Sequence, residues 1–484
     1  MRRIVLALAI VLFHAFTLSH FHPLNAAAEG TACADLTSLK IPGVSVISSS
    51  VVLTGSAGRG AQPQMLPPYC RVMAQATPVA DSHINIEIWI PVDNWNGKLL
   101  GVGNGGFAGS LPTPAMASAL VRGYATVGTD TGHAGDNLDF GDGHPEKIVD
   151  WSYRAVHVMT DVAKLVIRDH RGKFPDHAYF EGCSTGGQQA LSEAQRFPQD
   201  YDGIVAGDPG HNRVRLIIGF LWSWMAAHPD GGASVLTPET LATVTKAAVA
   251  ACDAQDGVKD GLISDPRACK FDPSTLVVTS GGGSDPGLTP TQAAAIKKIY
   301  DGAKNPRTGE QIFPGWARGS EQGWGSYITN PREPVRFTFF PSFVFHDPRW
   351  DMRSFDWDHD VAYADSVMAD LSATSRDLSA FKARGGKLVM YTGMADPVVP
   401  PQDTFNYYED VAKRFGGLAS TQAFFRFFPI AGMGHCGGGP APVTFDALGA
   451  LEQWVEKGNA PGRLSASRPI CMYPSLTCSP SSAR

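Results

Sequence analysis

Five residues, Gly182-Cys183-Ser184-Thr185-Gly186, set a serine between two glycines. They follow the apolar run His177-Ala178-Tyr179-Phe180-Glu181 and precede a helix-compatible stretch, residues 188–196. Strand, tight G-x-S-x-G turn and helix make the context a nucleophilic serine needs. The glycines let the backbone turn sharply, and the turn lifts the hydroxyl above the sheet edge. In a chain with 52 glycines, a strand-to-helix turn carrying an ordinary surface serine would read the same. What separates the two readings is whether the chain also supplies a base and an acid to orient it.

It supplies both at strand ends. Residues 387–392 read as a buried strand that runs into Gly393-Met394-Ala395-Asp396-Pro397. Residues 424–428 read as the next strand and lead to Gly432-Met433-Gly434-His435-Cys436-Gly437. The order Ser184, Asp396, His435 is that of the α/β-hydrolase triad, with room for one helix and one strand between acid and base. Asp208, in Gly207-Asp208-Pro209, also ends a strand and rivals Asp396 as the acid. His133 rivals His435 as the base, but it precedes the serine, which is the wrong order for this fold. An oxyanion hole would take the N–H of Thr185, the residue after the nucleophile, and one from the early glycine loop Gly103-Asn104-Gly105-Gly106, with Gly106 the favoured donor.

Cys183-Ser184, Asp396 and His435-Cys436 together resemble the paired CS–D–HC motif of the tannase/feruloyl esterase family, which includes feruloyl esterases, tannases and bacterial terephthalate monoester hydrolases. The resemblance spans nearly the whole mature chain and settles the acid on Asp396. It implies a serine carboxylester hydrolase acting on esters of aromatic acids (feruloyl, galloyl or terephthaloyl) through an acyl-enzyme. It also implies disulfides Cys183–Cys436 and Cys252–Cys269. Proximity pairs Cys471 with Cys478, and Cys33 with Cys70 is what remains.

A second cluster, Asp253, Asp256 and Asp260, falls in a glycine-containing loop. Hard oxygen donors at this spacing suit Ca2+, yet a surface pair of Asp-Gly turns fits them equally, and the EF-hand pattern is absent. The resemblance decides for a structural calcium, held by the side chains of Asp253, Asp256 and Asp260 and the carbonyls of Val258 and Leu262.

Arg2 and Arg3, an apolar run and Asn25-Ala26-Ala27-Ala28 form a secretory signal peptide, residues 1–28. Its apolar run is too short to span a bilayer. A secreted or periplasmic protein follows, and with it an expectation of disulfides among the eight cysteines. A formal charge of −6 without basic clusters argues against nucleic acid and anionic membranes. The partner expected is a small aromatic ester, with no obligate protein partner evident. A secreted serine peptidase of the same fold and a non-enzymatic calcium-stabilised binding protein stay open as alternatives.

These residues need a scaffold. Ile84, Ile86, Ile88 and Ile90 alternate with polar positions, which predicts a half-buried strand. Residues 99–103, 125–129, 178–182 and 204–207 fit buried parallel strands, and residues 151–171 a helix with Val158, Val162, Leu165 and Val166 on one face. The alternation predicts a doubly wound α/β-hydrolase sheet built from residues 29–210 and 386–484. Residues 211–385 differ in character and predict a large inserted lid domain carrying the calcium loop. Thr237-Pro238 and Thr289-Pro290 read as capped helix starts, and Gly281-Gly282-Gly283-Ser284 as a flexible loop. The stretch 313–363 holds 13 aromatics, well above the 10% of the whole chain. Phe337, Phe339, Phe340, Phe343 and Phe345 read as lid core, and Trp316, Trp324, Trp350 and Trp357 as candidates to stack on an aromatic acyl group.

Overall fold

A computed structural model describes residues 30–57, 64–107, 109–278, 287–331 and 333–476. The expected signal peptide, the glycine loop at 281–284 and Cys478 lie outside them. One mixed sheet holds β1 (Val44–Val52), β2 (Tyr69–Ala76), β3 (Ile84–Pro91), β4 (Lys98–Val102), β5 (Ala125–Thr129), β6 (His177–Cys183), β7 (Gly203–Gly207), β8 (Lys387–Gly393) and β9 (Phe425–Ile430). Their order across it is β1-β2-β3-β5-β4-β6-β7-β8-β9. The ladders are antiparallel from β1 through β2 and β3 to β5. From β5 to β9 every pairing is parallel.

Parallel neighbours need crossovers, and helices supply them. The helices used below are α1 (Thr113–Val121), α2 (Ala155–Arg171), α3 (Thr185–Arg196), α4 (Arg213–Ala227), α5 (Pro238–Cys252), α6 (Pro290–Asp301), α7 (Pro401–Arg414) and α8 (Ala447–Lys457). On one face, α1 and α8 cover Leu100, Tyr179, Val205, Val389 and Phe428. On the other, α2, α3 and α7 cover Leu99, Phe180, Ile204, Leu388 and Phe427. Burial on both faces explains why the inner strands are apolar at nearly every position. This is the doubly wound α/β-hydrolase sheet.

Two local expectations change. β3 is not half-buried: Asn85 is exposed, but Glu87 and Trp89 are buried. Glu87 is tolerated inside because Arg71 on β2 pairs with it at 2.6 Å and the Trp89 indole donates to it at 2.5 Å. The helix expected at 151–171 starts with a π turn, Asp150–Arg154, before α2. Val162 and Val166 face the core with Val156, Met159, Ala163 and Ile167, whereas Val158 and Leu165 are only half-buried.

The segment between β7 and β8 contains α4, α5 and α6. Thr237 caps α5, accepting from the Thr240 N–H at 3.2 Å, and Thr289 forms a full capping box with Gln292 at α6. Phe337, Phe339, Phe340 and Phe343 are buried and Phe345 is half-buried. They share a core with Phe313, Trp316 and Trp324, and that core continues into Phe107, Leu138 and Trp151 of the sheet half. Among the described residues no helix is long and apolar enough to cross a membrane.

Candidate active site

Ser184 sits at the tight junction of β6 and α3, with φ 64° and ψ −118°. A non-glycine residue holds such a backbone only where its surroundings impose it. Here the Ser184 N–H donates to the Gly207 carbonyl at 3.0 Å, and the Ser184 carbonyl accepts from Gly210 and Gln188 at 3.1 and 3.0 Å. The flanking glycines are there for space. A Cβ on Gly182 would lie 2.5 Å from the Gly186 backbone, and one on Gly186 would lie 3.0 Å from the Asn104 carbonyl.

Asp396 follows β8 and His435 follows β9, and these strands are direct parallel neighbours. Their loops pack backbone to backbone. The Ala395 N–H donates to the Met433 carbonyl at 2.9 Å, and a Cβ on Gly393 would stand 2.3 Å from the Gly434 carbonyl. Asp396 is fully buried and its Oδ1 accepts from the Val398 and Val399 N–H groups at 2.7 and 2.9 Å. Its Oδ2 lies 2.7 Å from His435 Nδ1. Ser184 and His435 line the same cavity, of about 280 Å³. Burial pulls the His435 pKa down, but the Asp396 charge and hydrogen bond, with Asp208 behind them, outweigh it and leave it above the ordinary histidine value.

The rivals fall elsewhere. His133 is buried, stacked on Phe140 at 3.7 Å and 2.8 Å from the Phe107 carbonyl, and does not line the cavity. Asp208 comes much closer. Its carboxylate, that of Asp396 and the His435 ring offer atoms within 4.8 Å of one another. Yet its oxygens accept from the backbone N–H groups of Gly393, at 2.6 Å, and Cys436, at 2.8 Å, while Asp396 holds the imidazole. Burial, then Asp396, push the Asp208 pKa well above the aspartate range. Cys183 and Cys436 form a disulfide with a Cα separation of 5.9 Å, joining the residue before the serine to the residue after the histidine. Asp208 Oδ2 lies 3.6 Å from the Cys183 sulfur, which as part of that bond has no proton to donate.

The glycine loop after β4 is held by side chains. Asn104 exchanges two hydrogen bonds with Gln189 and donates to the Thr129 carbonyl at 2.8 Å. The Phe107 N–H donates to Asp136 at 2.6 Å. Gly106 has φ 61°, and a Cβ there would meet Asp136 at 2.7 Å. The Thr185 hydroxyl donates to the Gly106 carbonyl at 2.5 Å. The N–H groups of Thr185 and Gly106 have no hydrogen-bond partner among the described residues.

Two further disulfides, Cys33–Cys70 and Cys252–Cys269, are present, and Cys471 is disulfide-bonded as well. In the aspartate loop, Asp253 Oδ1 accepts from the N–H groups of Asp260 and Gly261, Asp256 Oδ1 from Val258, and Asp260 Oδ1 from Leu262. The carbonyls of Val258 and Leu262 accept no backbone hydrogen bond among the described residues. No choice of one oxygen from each aspartate brings all three within 4.8 Å of one another. The donor set is that of a hard cation, arranged around the loop and not drawn to a point.

The cavity wall is what sequence reasoning missed. Arg213, Leu216 and Phe220 line it from α4, joined by Tyr327, Arg336 and Val399. None of the four tryptophans does. Trp316 and Trp324 are fully buried, their indoles bonded to the Pro397 carbonyl at 2.9 Å and to Ser320 Oγ at 3.0 Å. Trp350 and Trp357 pack on Phe340 and Phe355. A usable signal existed: Arg213, Leu216 and Phe220 stand at i, i+3 and i+7 on the helix that follows the strand beside the elbow.

A family model described as tannase and feruloyl esterase matches residues 70–476. An uncharacterized esterase of Xanthomonas campestris pv. campestris is 37% identical, covering 93% of this chain and 89% of its own. A probable feruloyl esterase B-2 of Aspergillus terreus is 31% identical, over 84% of this chain and 82% of its own. The crystal structure of feruloyl esterase B from Aspergillus oryzae superposes with a TM-score of 0.83 at 29% identity, covering 90% of this chain and 94% of that one.

The two carboxylates beside His435 set a pH dependence. A base must be neutral to act, so activity is lost as pH falls through the histidine pKa, and a raised pKa puts that limb above about 6.5. Asp208→Asn removes one nearby negative charge, destabilises the imidazolium and should move the acid limb of kcat/KM to lower pH. A limb that stays in place would mean Asp208 carries no charge there. The disulfide yields a second expectation. Its loop spans 253 residues, for which chain entropy suggests about 5 kcal/mol of stability. Cys183→Ala with Cys436→Ala should also lower kcat by about tenfold to a hundredfold, since a shift near 1 Å between reacting groups costs that much. Kinetics well below the melting temperature of the double variant check this, and wild-type kcat there would make the bond purely a matter of stability.

Proposed function

The chain belongs to the tannase and feruloyl esterase family, and on that premise we propose that this carboxylic ester hydrolase is a secreted or periplasmic serine enzyme cleaving esters of aromatic acids. One observation carries the serine mechanism: a buried aspartate 2.7 Å from the ring of a histidine that lines one cavity with the strained serine. In this reading Ser184 attacks the ester carbonyl. His435 takes the serine proton and returns it to the leaving alcohol, while Asp396 orients the ring and stabilises its charged form. The unpaired N–H groups of Thr185 and Gly106 receive the oxyanion. Water then hydrolyses the acyl-enzyme by the same steps.

The apolar part of the cavity supports an aromatic acyl group. Phe220, Tyr327, Leu216 and Val399 line it, and rings offer large contact area with few rotors to freeze. Its volume is near the lower end for small-molecule sites, about 300 Å³. Export is supported by the disulfides and by the signal-like N-terminus. We also propose that Asp253, Asp256 and Asp260, with the carbonyls of Val258 and Leu262, bind a structural calcium. When bound it would cross-link the loop below α5; no chemical step passes through it.

Ser184→Ala should fold normally and lose about a millionfold in turnover, as when one member of a cooperating triad is removed. Hydrolysis of methyl hydroxycinnamate, methyl gallate and terephthalate monoesters, with a peptide panel alongside, measures both points. Substantial activity in Ser184→Ala, or peptide cleavage without ester cleavage, would overturn the reading. For the metal, ligand bound only by the folded state stabilises it, by about 2.7 kcal/mol at a hundredfold excess over Kd. Chelation should therefore lower the melting temperature and added calcium restore it, with Asp256→Asn blunting the response. Elemental analysis of protein purified without chelator provides the independent check.

A further inference from the structure

Arg213 opens α4 with its side chain turned inward and only 5% of the residue exposed. No carboxylate lies within ion-pairing distance of it among the described residues. Its Nε donates to Gln188 Oε1 at 2.9 Å and its Nη2 to Thr185 Oγ1 at 2.5 Å. The Thr185 hydroxyl, occupied on its acceptor side by the guanidinium, points its own proton at the Gly106 carbonyl, 2.5 Å away. A chain thus runs from a buried cation through one hydroxyl to the second loop. It ties together the two residues whose main-chain N–H groups are open.

Holding a cation inside with no carboxylate in direct contact costs several kcal/mol. Burial, and then the nearby Arg336, pull the Arg213 pKa down to about 9, against a smaller opposing pull from Asp136. Such an arrangement is stable in a resting enzyme only if the fold imposes it, and it gains when a negative charge forms beside it. In ester hydrolysis that charge forms on the carbonyl oxygen as the serine adds.

We propose that Arg213 is a positioning residue of the oxyanion hole: acting through Thr185, it fixes the separation of the Thr185 and Gly106 N–H donors and sets a positive charge behind them that the tetrahedral intermediate neutralises. The inference rests on the serine reading above. It also has an electrostatic signature. The same charge opposes protonation of His435, so its removal should raise the histidine pKa.

The test compares wild type, Arg213→Gln and Arg213→Lys on a neutral methyl hydroxycinnamate ester. It adds inhibition by an aryl boronic acid, which forms an anionic tetrahedral adduct on serine. Loss of a direct oxyanion donor costs about a hundredfold to a thousandfold in kcat; acting one bond away, Arg213→Gln should cost about tenfold to a hundredfold. KM should stay within about threefold, boronate affinity should fall in step with kcat/KM, and the acid limb should move to higher pH. Thr185→Val, which keeps the N–H, should lose activity non-additively with Arg213→Gln. A kcat within twofold of wild type overturns the proposal. So does a loss confined to KM and seen only for esters bearing a carboxylate, which would make Arg213 a substrate anchor. If Arg213→Gln does not fold by thermal unfolding, Arg213→Lys, which keeps the charge but loses the planar fork, carries the boronate comparison, with kcat/KM and boronate affinity falling together and the acid limb staying in place. Ser184→Ala runs alongside: its inactivity shows that any negative result for Arg213 sinks this inference alone, whereas its activity would sink the serine reading itself.

Discussion

Everything in the site is arranged around one short piece of strained backbone. The turn at Ser184 works only because two stretches of main chain come close enough to exclude any side chain at Gly182 and Gly186. That closeness then recruits neighbours. The Ser184 amide is tied to the end of β7, and the Gly186 amide donates to the Asn104 carbonyl at 2.8 Å. Ser184, the glycine loop after β4 and the start of α4 are therefore one packed unit. Strain of this kind costs of order 1–3 kcal/mol and survives where the surroundings over-determine it. Here those surroundings are the C-terminal ends of adjacent parallel strands.

Charge is balanced with similar economy. Two aspartates and one arginine act on a single imidazole: Asp396 by contact, Asp208 through space, Arg213 in the opposite sense. Asp208 is held on both oxygens by backbone amides from the loops after β8 and β9. A carboxylate so placed is both an electrostatic neighbour and a clamp on the histidine loop. It adopts φ 35° to do so, a second non-glycine residue forced into the left-handed region beside the first.

The meeting of Ser184, Asp396 and His435 at neighbouring strand ends was legible because its cues are local: glycine pairs at strand ends, one serine, one histidine, and an order along the chain. The strands were legible for the same reason, since burial on two faces leaves unbroken apolar runs. β3 was misread because alternation counts Glu87 and Trp89 as outward residues, and only the cross-strand Arg71 reveals that they are satisfied inside. The cavity wall was legible only in part, through the shared helix face of Arg213, Leu216 and Phe220. Trp316 and Trp324 have the chemistry of a stacking platform, but both rings are packed into the core, which their indole bonds to Pro397 and Ser320 allow. Phe220 and Tyr327 reach the serine from positions more than a hundred residues apart in sequence, and nothing short-range marks such a convergence.

β7 and β8 are paired in register, Gly203 opposite Lys387, although the whole segment carrying α4, α5 and α6 intervenes. Because the two strands run parallel, the segment leaves at Gly207, opposite Tyr391, and must cross to the other end of the sheet to re-enter at Lys387, opposite Gly203. The intervening segment is thus a long crossover that begins at the end of the sheet where Ser184, Asp396 and His435 lie and finishes at the other. Several of its side chains and carbonyls hold it to the site on the way. Arg213 bonds Gln188 and Thr185, the Trp316 indole bonds the Pro397 carbonyl beside Asp396, and the Leu371 carbonyl receives Gln188 of the helix that follows Ser184. One stretch of chain therefore both walls the cavity and braces the residue after Ser184, so a change to its lining is also a change to what steadies that turn.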